Sequence, residues 1–183
     1  MFGKFVIGFV LVMMLLCVGT AVVGVIAYRA AVETEPEQVS LVGETITAFA
    51  LPGQFEEHYA VQFAGYSVME ATTPAGNSHI FLAQAPRNAL FDLAGLPGQV
   101  AALDRNWETS RPARLRTVGQ VSADVRGEQV PFVISEGVNS DGEIYRQMTA
   151  LFSGRGGDAM VNISAPVSEW DQAAVDAFIT SLD

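Results

Sequence analysis

The sequence predicts an α+β architecture: an antiparallel sheet, made of a hairpin plus a four-stranded meander, packed by a middle helix and a C-terminal helix and preceded by a single transmembrane helix. Three observations carry this. Residues 5–27 contain no charged side chain, residues 115–165 alternate with a period of two between turn sequences, and residues 168–182 repeat their apolar positions at helical spacing.

The anchor comes first. From Phe5 to Ala27 the chain reads FVIGFVLVMMLLCVGTAVVGVIA. At about 1.5 Å per residue this makes roughly 35 Å of helix, enough to cross a hydrocarbon core of ~30 Å with some tilt. It also explains a mean hydropathy of +0.29 in a chain with a net charge of −10. Val25-Ile26-Ala27 resembles a signal-peptidase site, but the apolar run is longer than the roughly 7–15 residues of a cleaved leader, so an uncleaved signal-anchor is expected. A lipoprotein site at Cys17 is disfavoured because Leu16 stands where a small residue is needed. Lys4 and the terminal amine on one side nearly balance Arg29 on the other. The four-residue head nevertheless suits a signal-anchor with its N-terminus in the cytoplasm. The expectation is a single-pass protein of the bacterial inner (cytoplasmic) membrane with a periplasmic C-terminal domain, Tyr28 and Arg29 lying at the outer interface.

Beyond Arg29, all 20 acidic residues face 8 arginines, a net charge of −12. Such a surface repels nucleic acid and anionic headgroups. The single cysteine lies in the apolar span, which leaves no disulfide, zinc cluster or dithiol for the domain, and no cofactor is expected.

Three regions follow: the anchor at 1–29, an acidic tether at 30–43 interrupted by Pro36, and an α+β domain at 44–183. The domain opens with a strand at Glu44–Ala50, closed by Leu51-Pro52-Gly53. Residues 54–65 fit either a helical turn or a strand. Tyr66–Thr72 and His79–Gln84 are the arms of a hairpin around Pro74-Ala75-Gly76-Asn77. Residues 86–97, with Pro86, Gly95 and Pro97, read as a loop. A middle helix is expected at 98–108, where Val100, Leu103 and Trp107 recur at helical spacing. From Leu115 to Arg126 apolar and polar residues alternate as in a strand with one wet face. Turns at Arg126-Gly127-Glu128, Asn139-Ser140-Asp141-Gly142 and Gly154–Asp158 then separate strands at Val130–Val138, Glu143–Ser153 and Ala159–Ala165. The last helix takes Ser168 as its N-cap with Asp171 in the capping-box position, and turns Trp170, Ala174, Val175, Phe178, Ile179 and Leu182 toward the meander.

Taken in this order, with a terminal helix ending in Ser181-Leu182, residues 44–183 are similar to the Mog1/PsbP-like fold. The resemblance rests on element order, and no position-specific motif accompanies it. It implies a non-enzymatic module, because such folds commonly serve as binding or assembly partners of larger complexes, and it transfers no functional residue.

The residues with chemical potential are few. His58, beside Glu56 and Glu57, and His79, in a strand, could hold a metal if they converged with a carboxylate. Their separation fits no local ligand signature, and they read as a surface and a strand histidine. No G-x-S-x-G is present, and no serine sits in a recognisable relation to a histidine. Glu56-Glu57 and Asp141/Glu143 read as loop and turn carboxylates rather than acid–base pairs. Gly154-Arg155-Gly156-Gly157 lies between strands, whereas a phosphate cradle should run into a helix. Asn162-Ile163-Ser164 is a glycosylation sequon placed mid-strand. Catalytic, cofactor-binding and metal residues are therefore expected to be none.

Two features point to partners. Arg105, Arg111, Arg114 and Arg116 reverse the sign of an otherwise acidic surface and form a candidate docking patch, against the alternative of pairing with nearby carboxylates. Cys17, Ala21 and Gly24 set small residues on one face of the anchor, where another helix could pack closely. The expected function is a non-enzymatic, single-span accessory subunit that stabilises a larger membrane complex, respiratory or photosynthetic among the candidates, through contacts with other membrane-protein subunits. The alternative is an independent anchored binding module for a periplasmic protein or small molecule.

Overall fold

The computed structural model describes residues 32–87 and 115–183, over which sequence-local hairpins build an antiparallel sheet. Its strands are β1 (Val32–Glu33), β2 (Glu56–Phe63), β3 (Tyr66–Thr72), β4 (His79–Gln84), β5 (Arg116–Val125), β6 (Glu128–Val138), β7 (Ile144–Ser153) and β8 (Asp158–Pro166). Helix α1 (Pro36–Ile46) precedes β2; helix α2 (Gln172–Thr180) follows β8 after a 3-10 turn at Val167–Glu169. The sheet order is β1-β2-β3-β4-β8-β7-β6-β5. The α+β class and the meander are as expected, and β4 joins hairpin and meander into one sheet by pairing with β8 from His79↔Ser164 to Gln84↔Ala159.

Two local expectations are corrected, and one left open is decided. Helix α1 takes up residues 36–43 of the acidic stretch assigned to a tether and the first three residues of the strand placed at Glu44–Ala50, whose remaining residues are irregular. Pro36 occupies the first turn, where its fixed φ suits a helix and its missing N–H costs nothing. Val39, Val42 and Ile46 recur on one face and are buried over β2 and β3. After the helix, Ala48 exchanges two backbone hydrogen bonds with Asp183, at 2.7 and 3.1 Å, instead of joining the sheet. Second, the undecided 54–65 stretch contains strand β2, which makes the N-terminal half a three-stranded meander with β3 and β4. Third, the last helix is capped by Asp171, whose Oδ1 accepts from the Ala174 N–H at 3.1 Å; Ser168 belongs to the 3-10 turn. The expected span at 5–27 and middle helix at 98–108 lie outside the described residues, among which no helix is long and apolar enough to cross a membrane.

Turn chemistry sets the strand registers. Between Phe63 and Tyr66, Ala64 and Gly65 both have positive φ (51° and 85°), and so do Arg126 and Gly127 (54° and 76°) between Val125 and Glu128. Two successive left-handed residues match the twist of a tight hairpin. At the β6–β7 turn Asn139 Oδ1 accepts from the N–H groups of Asp141 and Glu143, at 3.0 and 2.8 Å. The glycines of the β7–β8 turn make room for a neighbour. The Gly156 N–H donates to Gln84 Oε1 at 2.7 Å, and a Cβ on Gly157 would collide with the Ala85 carbonyl oxygen.

Both helices cover one face of the sheet. There Met69, Leu82, Phe132, Met148 and Val161 pack with Val39 and Ile46 of α1 and with Phe178 and Ile179 of α2. Each large side chain so buried contributes on the order of 1.5–3 kcal/mol. Successive strand residues point to opposite faces, so Val68, Phe81, Ala83 and Met160 form a second cluster on the other side, under β3, β4 and β8. Further along that face Val133 and Leu151 are exposed, at 40% and 58%. Strand β5, expected to be half-buried, is an edge strand of which only Val125 is buried.

Candidate functional site

Two places gather polar groups with apolar surroundings, one on each face of the sheet. On the face opposite the helices, three adjacent strands bring His58, Glu70 and His79 together. His58 is the extra residue of a bulge in β2, where Glu57 pairs with Ala71 and Tyr59 with Glu70. A bulge lets two neighbouring residues address the same partner, so His58 Nδ1 reaches Glu70 Oε2 at 3.4 Å. His79, at the start of β4, places Nδ1 2.8 Å from the other oxygen, Oε1. Glu70 is fully buried and His79 nearly so, while the His58 side chain is 45% exposed. Burial pushes the Glu70 carboxyl up, but hydrogen bonds from His58 and His79 and the charge of both rings outweigh it, holding the group below the ordinary carboxylate value. A carboxylate that fixes an imidazole tautomer is half of an acid–base dyad, and it is equally a way of satisfying a buried acid.

The cluster continues across the sheet as a polar row. Asn162 on β8 donates from Nδ2 to Thr149 Oγ1 on β7 at 2.8 Å, and Gln147 Nε2 donates to the same oxygen at 3.0 Å. Asn162 is buried in mid-strand, as the sequon's position implied. Among the described residues no group of three or more His, Cys, Asp and Glu side chains is arranged to hold a metal ion.

The second place is a cavity of about 190 Å³ on the helix-covered face. Ile80 of β4 and Ile163 of β8 form its floor; Trp170, Val175 and Phe178 form its roof; Phe55, from the segment before β2, closes one side. Thr73, Ser78, Gln54, Glu169 and Asp171 supply the polar groups. Trp170 is held on two sides: its Nε1–H donates to Gln172 Oε1 at 2.9 Å, and the Arg146 guanidinium lies 5.5 Å from its ring centre. Arg146 is held in turn by Glu136 Oε1, at 2.6 and 2.9 Å. Glu169 Oε1 accepts from Asn77 Nδ2 at 2.7 Å, which ties the 3-10 turn to the β3–β4 hairpin.

Of the sequence-derived docking residues, Arg116 lies exposed at the start of edge strand β5, in register with Glu136. Arg105, Arg111 and Arg114, and Cys17, Ala21 and Gly24 of the anchor, lie outside the described residues. Sequence reasoning singled out both histidines but not Glu70, which joins them. The available signal was the hairpin register: Thr72 opposite His79 places Glu70 one step along the same face. The cavity left no sequence signal, because its walls are ordinary core residues contributed by four separate segments.

No family model matches this chain, and no curated protein matches it. Among solved structures, one similar to it is LpqN of Mycobacterium tuberculosis, described as involved in cell envelope biogenesis. The identity is 12%, with 72% of this chain and 79% of that chain covered and a TM-score of 0.35.

Proposed function

We propose that this chain is a single-span envelope protein whose folded domain works by binding a small molecule beneath helix α2. The observation that carries the reading is the cavity. Its floor, roof and side are apolar, its polar groups are few, and its volume exceeds the ~150 Å³ of cavities known to take a benzene-sized guest. An uncharged run at 5–27 would hold the module at the membrane, with the domain in the periplasm.

An accessory-subunit role is the second reading, and edge strand β5 favours it. This strand offers ten residues with an edge that no described strand pairs, charged only at Arg116 and Asp124, and carries exposed Val118 and Val121. Long edges with little charge invite pairing with another chain.

Purification of the full chain in mild non-ionic detergent, followed by native mass spectrometry, separates the two. Binding predicts a protein that runs alone and carries a bound mass, lost when Ala174→Trp fills the cavity. Stoichiometric membrane subunits on a protein without bound mass would put the accessory-subunit role first.

A further inference from the structure

We infer that the ligand of the cavity beneath α2 is a small organic cation, an amine or quaternary ammonium on a ring-sized apolar body. This deepens the binding-module reading and rests on it. The apolar end is set by Ile80, Ile163, Val175 and Phe178, which offer no hydrogen bond and match a hydrocarbon body. The polar end is set by charge. Two carboxylates, Glu169 and Asp171, line the space, and no lysine, arginine or histidine is among the described lining residues. Each carboxylate uses one oxygen within the fold, Glu169 Oε1 for Asn77 and Asp171 Oδ1 for the Ala174 N–H. Their second oxygens make no hydrogen bond among the described residues, and they remain as acceptors for a ligand N–H or as counter-charge for an ammonium.

The aromatic lining points the same way. Phe55, Trp170 and Phe178 border the cavity, and aromatic rings beside carboxylates are the surroundings in which ammonium groups are held, by ring quadrupole and ion attraction together. Arg146, which lies over the Trp170 ring, is committed to Glu136. An anionic ligand would enter against both carboxylates of the lining and against a domain that is acidic overall.

The test uses three probes that share one phenyl ring and differ in charge: benzylamine, benzyl alcohol and benzoate. They are titrated into the full chain in non-ionic detergent, with empty micelles as the blank. Binding is read from Trp170 fluorescence in a Trp107→Phe background and from nuclear Overhauser contacts between probe ring and the methyls of Ile80 and Ile163. Benzylamine should bind at least tenfold more tightly than benzoate, with benzyl alcohol between them. Raised salt should narrow the gap, because the carboxylates stand at an exposed rim. Glu169→Gln should weaken benzylamine at least threefold and leave benzyl alcohol unchanged. Ala174→Trp should abolish all three; should that variant not fold, the methyl contacts locate the probe in the native chain. Equal affinity for all three probes, or tighter benzoate, would overturn the cation assignment and leave the binding module standing. Absence of methyl contacts with every probe at millimolar concentration would remove both.

Discussion

Ala64 sits at φ 51°, a region where an L side chain is disfavoured. The β2–β3 hairpin accepts this because two left-handed residues in succession let strands paired through Phe63↔Tyr66 keep their twist. Ala64→Gly should therefore stabilise the domain by about 0.5–1 kcal/mol, seen as a rise of about 1–4 °C in the thermal midpoint. Glu70 is the opposite kind of residue, an acid kept charged in the interior by two histidines. Its folded-state value lies below the ordinary 4.5, so its contribution is complete at neutral pH. That contribution is lost as pH falls below about 4.5 and through the depressed value. Urea midpoints between pH 3 and 7 should show a flatter acid limb for Glu70→Gln than for the native chain. At pH 7 Glu70→Ala should cost about 2–4 kcal/mol, since it strands a buried partner. Both histidines were visible in the sequence, but their relation to Glu70 was not. It depends on a bulge at Glu57–Tyr59 and on a three-strand register, and neither has a local signature.

At the scale of elements, strands were easier to find than helices, for physical reasons. Period-two alternation and left-handed turn residues such as Gly127 and Gly142 are local, and they placed the meander strands within a few residues. Helix α1 was hidden because its apolar stripe of Val39, Val42 and Ile46 is diluted by Glu37, Gln38, Ser40 and Glu44, a composition that reads as solvated linker. No basic residue lies in its last turn; the cap comes from the β7–β8 hairpin. Arg155 donates from its backbone N–H to the Ile46 carbonyl at 2.8 Å and from Nη1 to the Glu44 carbonyl at 2.6 Å. A cation placed on the final carbonyls of a helix complements both their lone pairs and the helix dipole. Arg155→Ala keeps the backbone bond and loses the guanidinium. It should cost about 1 kcal/mol in denaturant unfolding, with the slope against denaturant unchanged.

Across the whole molecule, the two halves of the sheet meet at β4 and β8 and are fastened a second time where the segment after α1 meets the residues after α2. The second fastening consists of the Ala48–Asp183 backbone pair, Thr47 Oγ1 donating to the Asp183 oxygen at 3.0 Å, and the Ala50 N–H donating to Ser181 Oγ at 2.8 Å. The Arg126 N–H adds a bond to the Leu182 oxygen at 3.3 Å, reaching the β5–β6 turn. The contacts of Thr47, Ala48 and Ala50 join residues more than 130 positions apart in sequence, beyond the reach of any periodicity, which is why this fastening and the pairing of β4 with β8 could not be read beforehand, although the packing of α2 on the meander could. Leu182 is the apolar centre of the fastening, 2% exposed and packed in the main core. Leu182→Ala should cost about 2–4 kcal/mol through lost burial and a partly unfilled space. Because α2 also roofs the cavity, the same substitution should loosen ligand retention, whereas Ser181→Ala, which removes hydroxyl bonds without opening space, should cost about 1 kcal/mol and leave retention intact. Denaturant unfolding with and without bound ligand distinguishes them: the ligand-dependent gain in stability should shrink in Leu182→Ala and persist in Ser181→Ala. An equal gain in both variants would mean that the fastening and the cavity are energetically independent.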